Sequence, residues 1–109
     1  MKFPKAAVIR SEPYRRYVSQ QECFGCRVEG FTQVAHPNFG KGLAMKTCDS
    51  KAFPLCGPHW GLPGCHYQLD NSIDMTRDQR RELEAKYTSE MQERAIKDGW
   101  DLFAEKEAA

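Results

Sequence analysis

The cysteines and histidines of this chain lie in one stretch, and their spacing constrains the fold more than any other feature. All five cysteines and all three histidines fall between Cys23 and His66. Cys23 and Cys26 form a clip, meaning two ligands separated by two residues, which can reach one ion from a tight turn. A second clip, Cys56-x-x-His59, follows after about thirty residues, which is the usual signature of a structural zinc site.

We therefore predict a structural zinc site whose fourth ligand is either His59 or Cys65. His59 fits the clip spacing, whereas Cys65 requires the segment Trp60–Gly64 to loop out, which its glycine and proline content permits. The alternative is a set of buried reduced cysteines without a metal. Cys48 stands alone in a polar stretch and is interpreted as a thiol outside the site. The three other predicted ligands are Cys23, Cys26 and Cys56.

Length and composition favour one small domain. The chain has 109 residues, and we treat residues 1–109 as a single domain with a core at 10–75 and a C-terminal helix at about 76–98. The middle of the chain is rich in glycine and proline, so a metal would supply cohesion that packing cannot. The odd cysteine count, and the lack of an apolar stretch of signal-peptide or membrane-span length, predict a cytosolic protein with metal-bound cysteines.

The net charge of +1 gives no global basic field, but the N-terminal segment is locally basic. Basic clusters of this kind contact phosphates. Arg15 and Arg16 are therefore candidate substrate-binding residues. The alternative is a solvated helix face.

Short elements are predicted in the first two thirds of the chain. Ser11 caps a helix that runs to about Gln20. Alternation and β-branched residues predict a strand at Phe31–His36. A second short strand is predicted at Phe53–Leu55, where the chain enters the second clip. A short helix then begins near Cys65.

The long C-terminal helix has the clearest signals. Thr76 and Gln79 form a capping box at its start, and Gly99 ends it. A four-residue apolar repeat indicates a face that packs on the core, so we interpret this helix as scaffold. The repeat consists of Leu83, Tyr87, Met91 and Ala95, with Ile96 beside them.

Three further residues form a candidate catalytic constellation. His36, at the predicted end of the first strand, is the candidate base that activates water. His66 and Asp70 lie four residues apart, so they project from one helix face and are predicted to hold Mg²⁺ or Mn²⁺. A base and a cation are what phosphodiester hydrolysis needs. Lys46 is predicted to contact a phosphate and Asp49 to orient His36, the alternative being a solvated loop pair.

Taken together, these motifs resemble the HNH (ββα-metal) endonucleases, specifically the small phage and prophage HNH-like proteins related to the RecA-dependent nuclease Ref. The chain differs from that group at Pro37, where many members have a second histidine, at Asp70, where histidine is commoner, and in the inserted segment Trp60–Gly64. The likeness covers roughly residues 10–70 and rests on Cys23-Phe-Gly-Cys26, Val34-Ala-His36, Gly42-Leu-Ala-Met-Lys46-Thr-Cys-Asp49, Phe53-Pro-Leu-Cys56 and Cys65-His66-Tyr-Gln-Leu-Asp70.

The resemblance implies an α+β fold, namely a small zinc-stabilised ββα-metal domain with a short N-terminal and a long C-terminal helix. It implies a metal-dependent DNA endonuclease with His36 as general base, acting in DNA recombination or replication in a bacterial host cytoplasm. DNA and a recombination protein are the implied partners. The alternative function is a non-catalytic, zinc-stabilised module that binds DNA or protein.

Overall fold

The computed structural model describes residues 9–37, 48–71 and 74–101, so Lys46 and most of its loop lie outside the described residues. Within these ranges the fold is α+β, as predicted, with three α-helices and one two-stranded antiparallel sheet. The elements in chain order are α1 (Glu12–Ser19), β1 (Thr32–Ala35), a 3₁₀ turn (Asp49–Lys51), β2 (Phe53–Cys56), α2 (Cys65–Asn71) and α3 (Arg77–Lys97).

Helix α1 begins where the sequence predicts. The Ser11 side chain accepts a hydrogen bond from the backbone N–H of Tyr14 at 3.3 Å, which satisfies one of the unpaired donors of the first turn. Tyr14 and Val18, one turn apart, are buried. The hydroxyl of Tyr17 donates to Asp98 just beyond α3, so α1 is held against the C-terminal end of that helix.

The two strands form a short hairpin with a fixed register. Gln33 lies opposite Leu55, and Ala35 lies opposite Phe53. Because side chains alternate along a strand, these four residues share one face of the sheet. All of β2 is buried, whereas Gln33 is exposed. The hairpin thus places β2 in the core and leaves part of β1 at the surface.

Helix α3 has both predicted ends. The capping box is present, with Thr76 and Gln79 exchanging side-chain to backbone hydrogen bonds. At the other end Gly99 has a φ of +98°, and its N–H bonds to the carbonyl of Ile96 at 3.1 Å. The N–H of Trp100 bonds to the carbonyl of Ala95 at 3.0 Å, which completes a Schellman cap.

The core lies between α1, β2 and α3. The Tyr87 ring of α3 contacts Phe53 and Phe24, with ring centroids 5.5 and 6.1 Å apart. Trp100 folds back from the helix cap and packs edge-on against Tyr14 at 5.1 Å. The cap of α3 therefore sets the position of an aromatic side chain that covers α1.

The apolar repeat of α3 is confirmed at Met91 and Ala95, which are buried. Ile96, which lies beside this repeat in the sequence, is 56% exposed. Adjacent helix residues are about 100° apart, so Ile96 turns to solvent when Ala95 faces inward. None of the helices in the described part of the chain has the length and apolarity that crossing a membrane requires.

Met91→Ala is expected to lower the free energy of unfolding by about 2–5 kcal/mol, because it leaves a cavity in a fully buried position. Ile96→Ala, on the exposed side of the same helix, is the matched control, with an expected change within about 0.5 kcal/mol. Urea denaturation with zinc in excess measures both. Equal losses in the two variants would contradict the packing of α3.

Candidate metal centre and active site

Four cysteines from separate parts of the chain meet at one end of the hairpin. Cys23 and Cys26 lie in the turn after α1, Cys56 ends β2, and Cys65 begins α2. Their Sγ atoms all lie within 4.8 Å of one another. Among the described residues, this is the one group of three or more candidate metal ligands that comes so close together.

The backbone around these cysteines favours negatively charged sulfur. The N–H groups of Gly25 and Cys26 point at the Sγ of Cys23, at 3.2 and 3.4 Å. The N–H of Cys65 points at the Sγ of Cys56 at 3.2 Å. A Cβ at Gly25 would stand 2.8 Å from the Sγ of Cys65, so the turn needs glycine there for the sulfurs to approach. Hydrogen bonds to a thiolate stabilise its charged form.

The thiols of the cluster affect one another's protonation. Burial raises the pKa of Cys23, but backbone hydrogen bonds lower it by more, so the pKa falls to about 7. Burial raises the pKa of Cys56 and of Cys65, and the neighbouring Cys23 raises that of Cys65 again. Four thiolates so close would repel one another, and a bound cation replaces the protons that otherwise prevent this.

The arrangement of the sulfurs fits a tetrahedral zinc ion. Zn–S bonds of about 2.3 Å place the sulfurs of a tetrahedron about 3.8 Å apart. The Sγ atoms of Cys26 and Cys56 are 3.7 Å apart. A four-cysteine set is typical of closed structural sites, which leave no coordination position for a substrate. The cluster is therefore a candidate structural metal centre that joins the turn after α1, β2 and α2.

Of the two candidates for the fourth ligand, the structure places Cys65 in the cluster and His59 outside it. The Nδ1 atom of His59 instead lies 2.9 Å from a backbone carbonyl oxygen of its own turn. The segment Trp60–Gly64 loops out between them. Cys48 also lies outside the cluster, and its Sγ accepts a hydrogen bond from the N–H of Ile9 at 3.3 Å.

The second feature is a histidine held by a buried aspartate. His36 directly follows β1, and Asp49 opens the 3₁₀ turn that leads into β2. The Nε2 of His36 lies 3.0 Å from the Oδ1 of Asp49, the contact that the sequence predicts. The other oxygen, Oδ2, accepts hydrogen bonds from the N–H of Ser11 at 2.7 Å and from Arg15 at 2.5 Å. Asp49 thus links the start of α1 to the end of β1.

These contacts keep the carboxylate of Asp49 ionised although its side chain is only 1% exposed. Burial raises the pKa of Asp49, but hydrogen bonds from Ser11, His36 and Arg15 lower it more, so the pKa lies below its ordinary value. An ionised carboxylate only accepts hydrogen bonds. The Nε2 of a neutral His36 therefore carries the proton, and Nδ1 carries the lone pair.

The third feature is the pair His66 and Asp70 on α2. The Nε2 of His66 lies 3.8 Å from the Oδ2 of Asp70. On the other side of the ring, Nδ1 lies 2.9 Å from the side-chain oxygen of Gln33 in β1. In a neutral ring, Nδ1 carries the proton that this oxygen accepts, and the lone pair of Nε2 is on the side of the carboxylate. Metal-ligating histidines are usually held in this way by a hydrogen bond at the other nitrogen.

The structure brings the predicted catalytic residues into two pairs rather than one group. His36 contacts Asp49, and His66 faces Asp70. Within the described ranges, His36, His66 and Asp70 do not gather their ligand atoms inside 4.8 Å as the four sulfurs do.

The basic side chains predicted to bind substrate have different surroundings. Arg15 binds Asp49 inside the protein, and Arg16 pairs with Glu12 on the exposed face of α1 at 2.5 Å. Lys46 lies outside the described residues. Arg15 is thus in position to orient Asp49.

Sequence reasoning missed Gln33 as part of a site. The alternating pattern of the predicted strand indicated only that the Gln33 side chain lies on one of its faces. The contact with His66 depends on where α2 docks against the hairpin, which no local pattern reports. The backbone N–H of Ser11 was missed for the same reason, since it meets Asp49 across 38 residues of chain.

Comparison with known proteins finds no match for this chain among family models, curated proteins or solved structures. The fold and the site therefore describe what class of protein this is: a small α+β domain with a candidate four-cysteine metal centre.

Cys65→Ser is expected to weaken zinc binding at least 100-fold, because it removes one of four ligands. Cys48→Ser and His59→Gln, which change a thiol and an imidazole outside the cluster, are expected to bind zinc as the parent does. Competition with a chromophoric chelator measures the affinities. A larger loss in His59→Gln than in Cys65→Ser would show that His59 is the fourth ligand.

Asp49→Asn is expected to change how the free energy of unfolding depends on pH in the acid range. Because the folded-state pKa of Asp49 is lowered, its contribution is complete above the unfolded value of about 4 and is lost as pH falls through the folded value. The variant should be less stable by about 2 kcal/mol at pH 7, and the difference should shrink below about pH 4. Denaturation midpoints from pH 2 to pH 7 measure it. A difference that does not vary with pH would contradict the ionised state of Asp49.

Proposed function

We propose that the protein is a metal-dependent endonuclease that hydrolyses DNA phosphodiester bonds, built on an HNH-type ββα-metal unit of β1, β2 and α2. The observation that carries the proposal is the histidine at the end of β1 whose ring is held by a buried carboxylate, 3.0 Å from Asp49. A neutral imidazole oriented by a carboxylate is a suitable general base near neutral pH.

In this proposal His36 takes a proton from the attacking water at Nδ1, because Nε2 already donates to Asp49. Asp49 then stabilises the imidazolium that forms, as the aspartate of a catalytic triad does. Arg15 and the N–H of Ser11 keep the carboxylate in place and ionised. Arg15 and Asp49 are thus positioning residues in this reaction.

His66 and Asp70 are the residues that would hold the divalent cation. A nitrogen and a carboxylate oxygen 3.8 Å apart, both on one helix face, can bind a single ion after a small rotation of either side chain. Mg²⁺ and Mn²⁺ use few protein ligands and complete their shells with water and phosphate. When bound, such an ion would neutralise charge on the scissile phosphate.

The two pairs lie at different points along the same strand. Gln33, which holds His66, and His36 are three residues apart, which corresponds to about 10 Å of extended chain, and this odd spacing would put their side chains on opposite faces of an extended strand. Because β1 ends at Ala35, the proposal requires the chain to turn there so that His36 can reach a water beside a phosphate bound at His66 and Asp70. The choice of DNA, and a role with a recombination protein in phage or prophage recombination or replication, are supported by the family resemblance.

His36→Ala is expected to slow the nicking of supercoiled plasmid in Mn²⁺ by about 100- to 10,000-fold, because it removes the base. Zinc content and helical signal should stay unchanged. His66→Ala and Asp70→Ala should raise the Mn²⁺ concentration needed for half-maximal nicking. Gln68→Ala, exposed on the same helix, is the matched control. Parent-like nicking by His36→Ala would show that another group is the base.

The separation of the catalytic residues favours a second candidate, a zinc-stabilised module that binds DNA or protein without cleaving it. Here His36 and Asp49 would serve only to join α1 to the hairpin. One bound zinc and no cleavage of supercoiled, linear or single-stranded DNA in Mn²⁺ or Mg²⁺ would support this reading.

A further inference from the structure

The segment between the second clip and α2 forms a tight hairpin turn with aromatic rings at its surface. The N–H of Leu62 bonds to the carbonyl of His59 at 2.8 Å, and the N–H of His59 bonds back to Leu62 at 3.1 Å. The two residues between them have positive φ, +50° at Trp60 and +78° at Gly61. This is the conformation of a two-residue type I′ turn.

A tryptophan is unusual at the first central position of such a turn. Asparagine or glycine is preferred there, because a bulky side chain at positive φ is strained. Trp60 is also 73% exposed, so its ring gains little from packing in the core. The turn therefore presents a large aromatic ring to solvent in a conformation that costs stability, which is typical of residues kept for binding.

The tryptophan is supported by two other rings. Phe31 and His59 stack with centroids 4.5 Å apart and planes 13° apart. Trp60 meets both rings edge-on, at 5.4 Å from Phe31 and 4.8 Å from His59. His59 is fixed by a hydrogen bond from its Nδ1 to the carbonyl of Gly57 at 2.9 Å. We call Phe31, His59 and Trp60 the aromatic platform.

The aromatic platform continues into the proposed nuclease site. Phe31 precedes Gln33 by two residues, and alternate residues of an extended chain point to the same side. Gln33 holds His66 at 2.9 Å. A polymer lying along this side of β1 would meet the aromatic rings and then the His66–Asp70 pair.

We propose that the aromatic platform stacks an unpaired base of single-stranded DNA beside the nuclease site, an inference that rests on the proposed function. Each base has a π-face that stacks on an aromatic ring, whereas the bases of an intact duplex cover one another. Rings at a turn tip can reach a base only where the strand is open. The substrate class is therefore single-stranded DNA or DNA with an unpaired segment.

The first experiment measures binding without cleavage. Trp100→Phe leaves Trp60 as the sole tryptophan of the chain. Zinc-loaded protein is titrated with a twelve-nucleotide oligothymidylate, with no Mg²⁺ or Mn²⁺ added. Stacking should quench the fluorescence of Trp60, and a duplex of equal length should not. Equal quenching by the duplex, or none by the single strand, would overturn the proposal.

The second experiment separates stacking from general apolar contact, using fluorescence anisotropy of labelled oligothymidylate. Trp60→Phe should retain most of the affinity, whereas Trp60→Leu should weaken binding roughly 5- to 150-fold. Trp60→Asn should lose binding equally while the domain stays as stable as the parent, because asparagine tolerates positive φ. Tyr67→Leu removes an aromatic ring 58% exposed on α2 and is the matched control.

Parent-like binding by Trp60→Leu, or an equal loss in Tyr67→Leu, would overturn the role of the platform. Tighter binding of an oligouridylate than of the oligothymidylate would overturn the assignment to DNA. Because no divalent ion is present, these outcomes do not depend on cleavage. Binding through Trp60 with no nicking activity would overturn the proposed function and leave the stacking site in place.

Discussion

Four cysteine sulfurs converge within 4.8 Å of one another, and this convergence ties three separate segments of the fold together. They come from the turn after α1, the end of β2 and the start of α2. The two strands have only four residues each, and an isolated hairpin of that size is marginally stable in water. Repulsion between thiolates would open this end of the fold, whereas a cation at the centre would close it. A metal bound at this candidate centre and the hairpin would thus stabilise each other.

At the other end of the hairpin, Asp49 has a comparable structural role with different chemistry. Its buried carboxylate joins α1, the 3₁₀ turn and the end of β1 through Ser11, Arg15 and His36. A buried charge of this kind is stable only when all its partners are present. The same contacts that hold α1 in place also orient the ring of His36. Structural and proposed catalytic roles therefore coincide in one carboxylate.

The surface between these two ends carries the features that the proposed function uses. Gln33 is central, because it lies beside the aromatic platform along β1 and holds His66 of α2. The segment Trp60–Gly64 contains the turn that carries Trp60. The same segment spans the distance between His59 and Cys65 and so allows Cys65 to join the candidate metal centre. One stretch of chain thus affects both the cysteine cluster and the exposed surface.

Local residue patterns were enough to predict where the helices and strands lie. Ser11, the Thr76–Gln79 box and Gly99 mark helix ends, because each acts on hydrogen bonds within a few residues, and alternation predicted β1. The first clip was predictable because both of its cysteines, Cys23 and Cys26, lie in one turn. The presence of Cys65 rather than His59 in the cluster, the contact of Arg15 with Asp49 and that of Gln33 with His66 appear only in the folded chain. Those contacts depend on how helices dock against the hairpin, and docking is determined by packing across distant segments rather than by any local pattern of residues.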